Sequence, residues 1–148
     1  MEKEFLRVIS TKDVMLFSSL IVIGSILVYL PTGASINITG FFMITAGLIL
    51  SFILRTGYKD VATGERYEKK EYYFQQAMHT QIMSALASRP ESVNLGEADK
   101  GSAVKLDIYY SQMSGKAYLQ LFEYVPYRYE PCSKIYEYKV ERVMNLIK

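Results

Sequence analysis

The sequence predicts a membrane protein in which an N-terminal two-helix transmembrane hairpin precedes a small cytoplasmic α+β domain, built as helix, β-hairpin, helix. Three observations lead to this class. Residues 14–54 form a run of 41 without Asp, Glu, Lys or Arg. The remainder of the 148-residue chain is rich in both charges, and the net charge is only +2. After residue 64 the apolar positions follow first a helical, then an alternating, then again a helical spacing.

The uncharged run is too long for a single span. As one helix it would measure about 60 Å, roughly twice the hydrocarbon thickness of a bilayer. Pro31-Thr32-Gly33 interrupts it, because proline lacks a backbone donor and glycine permits a turn. We therefore predict spans at 14–30 and 36–54, each containing 11 Leu, Ile, Val or Phe residues, which favours insertion into lipid.

The basic residues predict the orientation of these spans. Lys3, Arg7 and Lys12 precede the first span, Arg55 and further basic residues follow the second, and the loop between them has none. The positive-inside tendency then places residues 1–13 and the C-terminus in the cytoplasm, with the hairpin in the inner membrane.

A competing interpretation is a secretory signal that ends at the small residues Thr32-Gly33-Ala34, so that residues 1–34 would be removed. The 17-residue apolar region of the first span is longer than such signals usually have, which favours the hairpin.

Small residues recur on one side of each span. Gly40, Gly47 and Ser51 share a face of the second helix, and Ser18 and Ser25 share a face of the first. Small side chains let two helix backbones approach closely. We interpret these faces as the contact between the two spans of one hairpin, in preference to a contact between molecules. The spans contain no ionisable residue, which argues against a proton relay or a charged transport pathway.

The cytoplasmic domain is predicted at 65–148, after a juxtamembrane connector at 55–64. A helix is expected over Glu65–Ser88, because Phe74, Met78, Ile82 and Ala85 form a stripe at helical spacing. Pro90 ends it. The polar stretch Glu91–Ser102 is predicted to be a loop, with a short strand at Val93–Leu95.

Two alternating segments follow this loop. Val104–Tyr110 and Ala117–Val125 alternate apolar and polar or aromatic residues, and Ser111–Gly115 between them has turn chemistry, so we predict a β-hairpin. Ser133 is then expected to cap a final helix with an apolar face. The residues of that face are Tyr136, Val140, Val143, Met144 and Ile147.

The second face of the predicted hairpin is unusually aromatic, since Tyr109, Tyr118, Phe122 and Tyr124 fall on it. Twelve of the 13 tyrosines occur after residue 57, and tyrosine combines a large apolar body with a polar tip that suits interfaces. These four residues and Arg128 are the predicted binding or interface residues. The alternative is that a third strand or the juxtamembrane helix covers this face, or that it lies against lipid headgroups.

Reactive groups are few. His79 is the only histidine and Cys132 the only cysteine, and no spacing in the chain matches a metal, phosphate-loop or nucleophile motif. We predict no enzymatic activity, no cofactor and no metal site. The small net charge argues against nucleic acid as a partner.

Two functional hypotheses remain. The first is a non-enzymatic two-span membrane protein whose cytoplasmic domain mediates homo-oligomerisation or docks a protein partner at the lipid bilayer. The alternative is a ligand-gated effector, in which the domain senses a small molecule such as a nucleotide and assembled hairpins form a pore or disrupt the bilayer. The second hypothesis rests on architectural analogy.

Overall fold

The computed structural model describes residues 3–95 and 101–148. The chain forms two compact units. One comprises Phe5–Lys59. The other comprises Asp60–Lys148 together with the segment that precedes Phe5.

The first unit contains two helices that are long and apolar enough to cross a membrane. They are α1 (Thr11–Tyr29) and α2 (Ala34–Ile53), and only 11% of the apolar stretch of each is buried. A short strand β1 (Phe5–Val8) precedes α1, and a second strand β2 (Gly57–Asp60) follows α2. The two strands are neighbours in the sheet. Neither short strand was expected in the segments 1–13 and 55–64.

Helix α1 begins three residues before the predicted span because its N-terminus is capped. The Ser10 hydroxyl accepts a hydrogen bond from Asp13 N, and the Asp13 carboxylate accepts one from Ser10 N at 2.8 Å. This reciprocal capping box satisfies two backbone donors that would otherwise lack partners.

The loop between the helices is closed by Asn37. Its amide nitrogen, oriented as a donor, lies 3.1 Å from the carbonyl oxygen of Leu27 and 3.2 Å from that of Leu30. The Asn37 side chain of α2 thereby donates to carbonyl groups at the end of α1 that lack a partner within that helix.

The second unit contains an antiparallel sheet and helices. Its strands are ordered β3-β4-β5-β6, and β7 also pairs with β5. The elements are β3 (Arg66–Phe74), α3 (His79–Ser88), β4 (Val104–Ser111), β5 (Lys116–Val125), β6 (Arg128–Pro131), β7 (Tyr136–Lys139) and α4 (Met144–Ile147). Short 3-10 turns occupy Gln76–Met78, Pro90–Ser92 and Val140–Val143.

The expected β-hairpin is present as β4 and β5, with Leu106 opposite Leu121. Gly115 closes its turn at φ +68°, a conformation that glycine adopts readily. The sheet is larger than a hairpin, however, because β3 adds to one side and β6 and β7 share the other. β6 pairs with the C-terminal half of β5, and β7 with the N-terminal half.

The predicted helix over Glu65–Ser88 is wrong in its first half. Residues Arg66–Phe74 form β3, in which Phe74 lies opposite Val104, and the helix begins only at His79. Glu68 and Glu71, which helical spacing would place together, therefore lie on opposite faces of a strand. Tyrosine-rich segments favour strands when a partner strand is available, and β4 supplies that partner from 30 residues away.

The predicted C-terminal helix is also wrong in its first part, and Ser133 does not cap it. Tyr136 belongs to β7 and lies opposite Leu119. The Ser133 hydroxyl instead accepts a hydrogen bond from Leu121 N at 2.9 Å, in the gap between β6 and β7. Helical structure starts at Val140.

No strand forms at Val93–Leu95; a 3-10 turn precedes these residues instead. Residues 96–100 of the predicted loop lie outside the described residues.

The hydrophobic core lies between one face of the sheet and the helical segments. Its buried members come from alternate positions of β3, β4 and β5, from α3 and from the C-terminal turns. They include Phe74, Ile82, Leu86, Leu106, Ile108, Leu119, Leu121, Val143 and Leu146. One face of the sheet packs on the core, and four of the five predicted interface residues lie on the opposite face.

Candidate interface on the sheet

The sheet face that points away from the core is rich in aromatic and charged side chains, and we call it the aromatic face. Strand alternation and register assign its members. They are Tyr67, Lys69, Glu71, Tyr73, Lys105, Asp107, Tyr109, Tyr118, Gln120, Phe122, Tyr124 and Tyr129.

A charge network occupies the centre of the aromatic face. Asp107 is only 2% exposed, and its carboxylate oxygens lie 2.8 Å from Lys69 Nζ and 3.2 Å from Lys105 Nζ. Lys69 also contacts Glu71 at 2.6 Å. Two ammonium groups and two carboxylates thus compensate one another, which a nearly buried carboxylate requires.

Two members of the network, Lys69 and Glu71, are charged at neutral pH. Burial by itself would lower the pKa of Lys69, but hydrogen bonds to Asp107 and Glu71 outweigh it and raise that pKa above its usual value. Burial likewise would raise the pKa of Glu71, yet the contact with Lys69 lowers it. At neutral pH, Lys69 is therefore protonated and Glu71 is deprotonated.

Aromatic rings enclose the two ammonium groups. Lys105 Nζ lies 4.7 Å from the ring centroid of Phe122 and 5.2 Å from that of Tyr129. Lys69 Nζ lies 5.3 Å from the centroid of Tyr109. These distances fall within the range of favourable cation–π interaction, so the rings help to hold the charges in place.

A tyrosine cluster adjoins the network at one end of the sheet. The Tyr129 ring lies edge-on to Tyr73 at 6.2 Å and to Tyr124 at 5.2 Å between centroids. Burial and the neighbouring Glu71 carboxylate raise the pKa of Tyr73 to about 12. Edge-to-face pairs of this kind favour a rigid aromatic surface.

The structure brings four of the five predicted interface residues onto the aromatic face. Tyr109 and Tyr118 lie opposite each other on β4 and β5, and Phe122 and Tyr124 follow on β5. They differ in exposure. Tyr118 is buried beneath Lys3, whose Nζ lies 4.5 Å from its ring centroid, and acts as part of the fold. Tyr124 is 48% exposed and available for contact.

Arg128 does not join this group. It lies opposite Val125 in the register of β5 and β6, which directs it to the other face of the sheet. There it forms an exposed ion pair with Glu130. The prediction that Arg128 shares a surface with the four aromatic residues is therefore wrong, because alternate residues of a strand point to opposite faces.

Five residues of the aromatic face were not among the predicted interface residues, namely Lys69, Tyr73, Lys105, Asp107 and Tyr129. Lys69 and Tyr73 were missed because their segment, now β3, was interpreted as a helix. Lys105 and Asp107 were expected to share a face with Tyr109, because all three alternate with the apolar residues of β4, but they were not chosen as interface residues.

The small residues of the helices lie partly in the contact between α1 and α2. A Cβ added at Gly40 would lie 2.6 Å from the carbonyl oxygen of Gly24, and one at Gly47 would lie 2.9 Å from that of Phe17. Gly24 was not among the predicted packing residues.

The predicted serines differ in exposure, since Ser25 and Ser51 are half-buried. Ser18 is exposed, whereas Ser25 and Ser51 donate to carbonyl oxygens of their own helices. Their hydroxyls are therefore satisfied locally, which makes them compatible with an apolar environment.

The remaining candidate groups are scattered. His79 is the first residue of α3, and Cys132 lies beside the sheet edge, where burial raises the pKa of its thiol. Among residues 3–95 and 101–148, no group of three or more His, Cys, Asp or Glu side chains could hold a metal ion. A groove of about 240 Å³ runs along α3 between Met78 and Asn94, below the usual size of a small-molecule site.

No family model, curated protein or solved structure matches this chain. Functional inference therefore rests on the chemistry and geometry of the chain itself.

Proposed function

We propose that this chain is a non-enzymatic scaffold anchored in the inner membrane by α1 and α2, with both termini in the cytoplasm. Its second unit associates with the same unit of another copy through the exposed part of the aromatic face. The proposal has two parts, anchoring and self-association, and different observations support each.

The outward apolar surface of the two helices supports anchoring, and this observation carries the proposal. Phe42 is 72% exposed and Phe52 is 78% exposed, and most other large side chains of the hairpin also point outward. In water so extensive an apolar surface would be strongly unfavourable. In lipid it is the expected surface of a spanning hairpin, whose backbone groups are satisfied within each helix.

The chemistry of the aromatic face supports self-association. Tyrosine is enriched in protein interfaces, and Tyr124, Phe122 and Tyr73 are at least partly exposed. The charge network beside them contains both signs in equal number, so two copies that meet by two-fold symmetry need not repel each other. A partner with a strong net charge would find no complementary field here.

The helix contact favours a scaffold over a pore. Gly24, Gly40 and Gly47 allow close backbone approach, but they are already used between α1 and α2. Large side chains such as Phe41 and Ile49 then form the outer surface, which suits lipid. Assembly of hairpins into a tight pore would need a further small-residue face.

Anchoring is tested by flotation of the full chain with liposomes, followed by carbonate extraction. We expect the chain to float and to resist extraction. Recovery as a soluble, monodisperse species without detergent would overturn the anchoring proposal.

Self-association is tested by measuring the mass of the full chain in detergent by light scattering. We expect a dimer or larger species for the wild type and a lower mass for the double variant Phe122→Ser, Tyr124→Ser. Met113→Ser, which alters a residue 100% exposed in the β4–β5 turn, is the matched control. An unchanged mass in the double variant would exclude this surface.

A membrane-potential dye in expressing cells separates the scaffold from the ligand-gated effector. The scaffold should leave the potential unchanged under all conditions. Depolarisation that depends on an intact hairpin would instead support the effector.

A further inference from the structure

We propose that the turn between β5 and β6, residues 125–128, is a lipid-contact site that places the Tyr127 ring among the headgroups of the bilayer. The inference rests on the proposed anchoring of α1 and α2 in that bilayer. It adds a second, reversible contact with the membrane, made by the unit that follows Asp60.

The turn has an unusual backbone. Val125 and Arg128 pair across it, which leaves Pro126 and Tyr127 as its two central residues. Proline fixes φ near −65° at the first, and Tyr127 has φ +72° at the second. That pattern is typical of a type II turn, whose second position glycine normally occupies. A bulky aromatic residue is unfavourable there, so the packing of the fold does not explain its presence.

The side chain of Tyr127 is almost fully accessible. It is 96% exposed, so the positive φ serves to project a large ring away from the sheet. An exposed strained residue suggests a role outside the fold. The ring is an apolar body with a polar hydroxyl, the combination that concentrates at membrane–water interfaces.

The neighbours of Tyr127 have the matching chemistry. Pro126 has no N–H to desolvate. Arg128 is exposed and can contact a lipid phosphate, because its ion pair with Glu130 is an exposed one of small net strength. Residues 125–128 themselves contain one cation and no acidic residue, and the flanking carboxylates Glu123 and Glu130 lie opposite each other on β5 and β6.

Chain connectivity keeps this unit near lipid. Helix α2 ends at Ile53 and the second unit begins again at Asp60, so six residues, 54–59, join them. Fully extended, they span at most about 20 Å. A second connection of six residues, 5–10, joins the N-terminal segment to α1. Such short tethers raise the effective concentration of lipid around the unit, which strengthens a contact made by one ring and one cation.

The sheet presents its two turns at opposite ends. The antiparallel register places Met113, in the turn between β4 and β5, at the end where β3 begins, and the Tyr127 turn at the end where β3 reaches Phe74. The chain enters β3 from Asp60, so Met113 lies at the end of the sheet where the tether from α2 joins the second unit. Met113 is therefore a stringent control position.

The chain has no tryptophan, so one substitution creates a unique fluorophore. Tyr127→Trp and Met113→Trp are each reconstituted as full chains into phosphatidylcholine–phosphatidylglycerol vesicles, with or without brominated acyl chains. We expect the emission of the Tyr127→Trp protein to shift to the blue and to be quenched severalfold more by brominated lipid than that of the Met113→Trp protein. The indole at position 127 should be protected from aqueous iodide, whereas the indole at position 113 should remain accessible.

Equal iodide quenching at the two positions, in vesicles that still float with the protein, would overturn the lipid contact and leave the anchoring intact. A blue shift at position 127 that follows the protein-to-lipid ratio instead of the lipid would assign the turn to a contact between copies, which also overturns it. Loss of flotation would refute the anchoring first. Vesicles of phosphatidylcholine alone measure the contribution of Arg128. In these vesicles we expect the indole at position 127 to be less protected from iodide than in the vesicles that contain phosphatidylglycerol.

Discussion

The carboxylate of Asp13 accepts hydrogen bonds from both the backbone nitrogen and the hydroxyl of Thr56, at 2.8 and 2.5 Å, across 43 residues of chain. It also accepts one from Ser10 N. The single acidic residue at the start of α1 thus joins the beginning of one helix to the exit of the other. The Asp13–Thr56 contact joins the two helices at the open end of the hairpin. At the other end, Asn37 bonds the start of α2 to the end of α1.

Replacing Asp13 with Ala should loosen the hairpin. Three donors would lose their charged acceptor, and a hydrogen bond to a charged group contributes about 1.5–3 kcal/mol. We expect a lower melting temperature of the full chain in detergent, followed by far-ultraviolet circular dichroism. Thr11→Ala changes an exposed residue in the same helical turn; it is the control and should change little. An Asp13→Ala variant as stable as the control would show that the contact contributes nothing.

Gly40→Ala should separate α1 from α2. The added Cβ would lie 2.6 Å from the carbonyl oxygen of Gly24, which no side-chain rotation can relieve, so the helices must move apart. We expect loss of helicity at a lower sodium dodecyl sulfate fraction than for the wild type. Thr45→Ala changes an exposed side chain whose hydroxyl donates to Phe41 O in the same helix, and should leave the transition in place. Coincident transitions for all three proteins would contradict the close contact.

Asp107→Ala should destabilise the second unit. Lys69 and Lys105 would lose their shared carboxylate, with an expected loss of about 1–3 kcal/mol. The near-ultraviolet circular dichroism of the tyrosines during thermal unfolding measures it. Glu137→Gln removes a partner from the exposed pair with Lys116 at 3.6 Å and should cost below about 0.5 kcal/mol. Equal losses in the two variants would mean that the network is no stronger than a surface pair.

Stability should fall in acid in part because of Asp60. Burial alone would raise its pKa, but hydrogen bonds from Lys3, Ala62 N and Thr63 lower that pKa below its usual value. A lowered folded-state pKa stabilises the fold above the unfolded value of about 4, and this contribution is lost as pH falls through the folded value. At pH 7 the wild type should therefore melt at a higher temperature than Asp60→Asn. This difference should be largest near neutral pH and should decrease below about pH 4. A difference independent of pH would rule out the ionised carboxylate as its cause.

Tyr127→Gly should stabilise the fold while removing the ring that we assign to lipid. Relief of a positive φ at a residue other than glycine is worth roughly 1 kcal/mol. We expect a higher melting temperature in detergent. Gly115→Ala, at φ +68° in the other turn, is the counterpart and should lower it. A Tyr127→Gly variant that melts below the wild type would show that the ring supports the fold itself.

Local patterns predicted the elements whose partners lie nearby in sequence. The turn Ser111–Gly115 and the alternation on both sides of it were sufficient for β4 and β5, since the two strands meet through a short loop. The residues of β3 carried an ambiguous pattern, because tyrosines and charges at mixed spacing suit both a helix and a strand. Only the distant β4, which pairs with β3 across the intervening helix α3, selected the strand.

By itself, the sequence determined two apolar helices, the break between them at Pro31-Thr32-Gly33 and a separate charged region after the second helix. These features follow from composition and from residues close along the chain, which no distant contact can override. The tertiary structure alone decided which groups meet. It brought Lys69 beside Asp107, buried Tyr118, turned Arg128 to the opposite face and set Gly24 against Gly40. Such pairings depend on strand register and on helix contact, where a shift of one residue reverses the face on which a side chain lies.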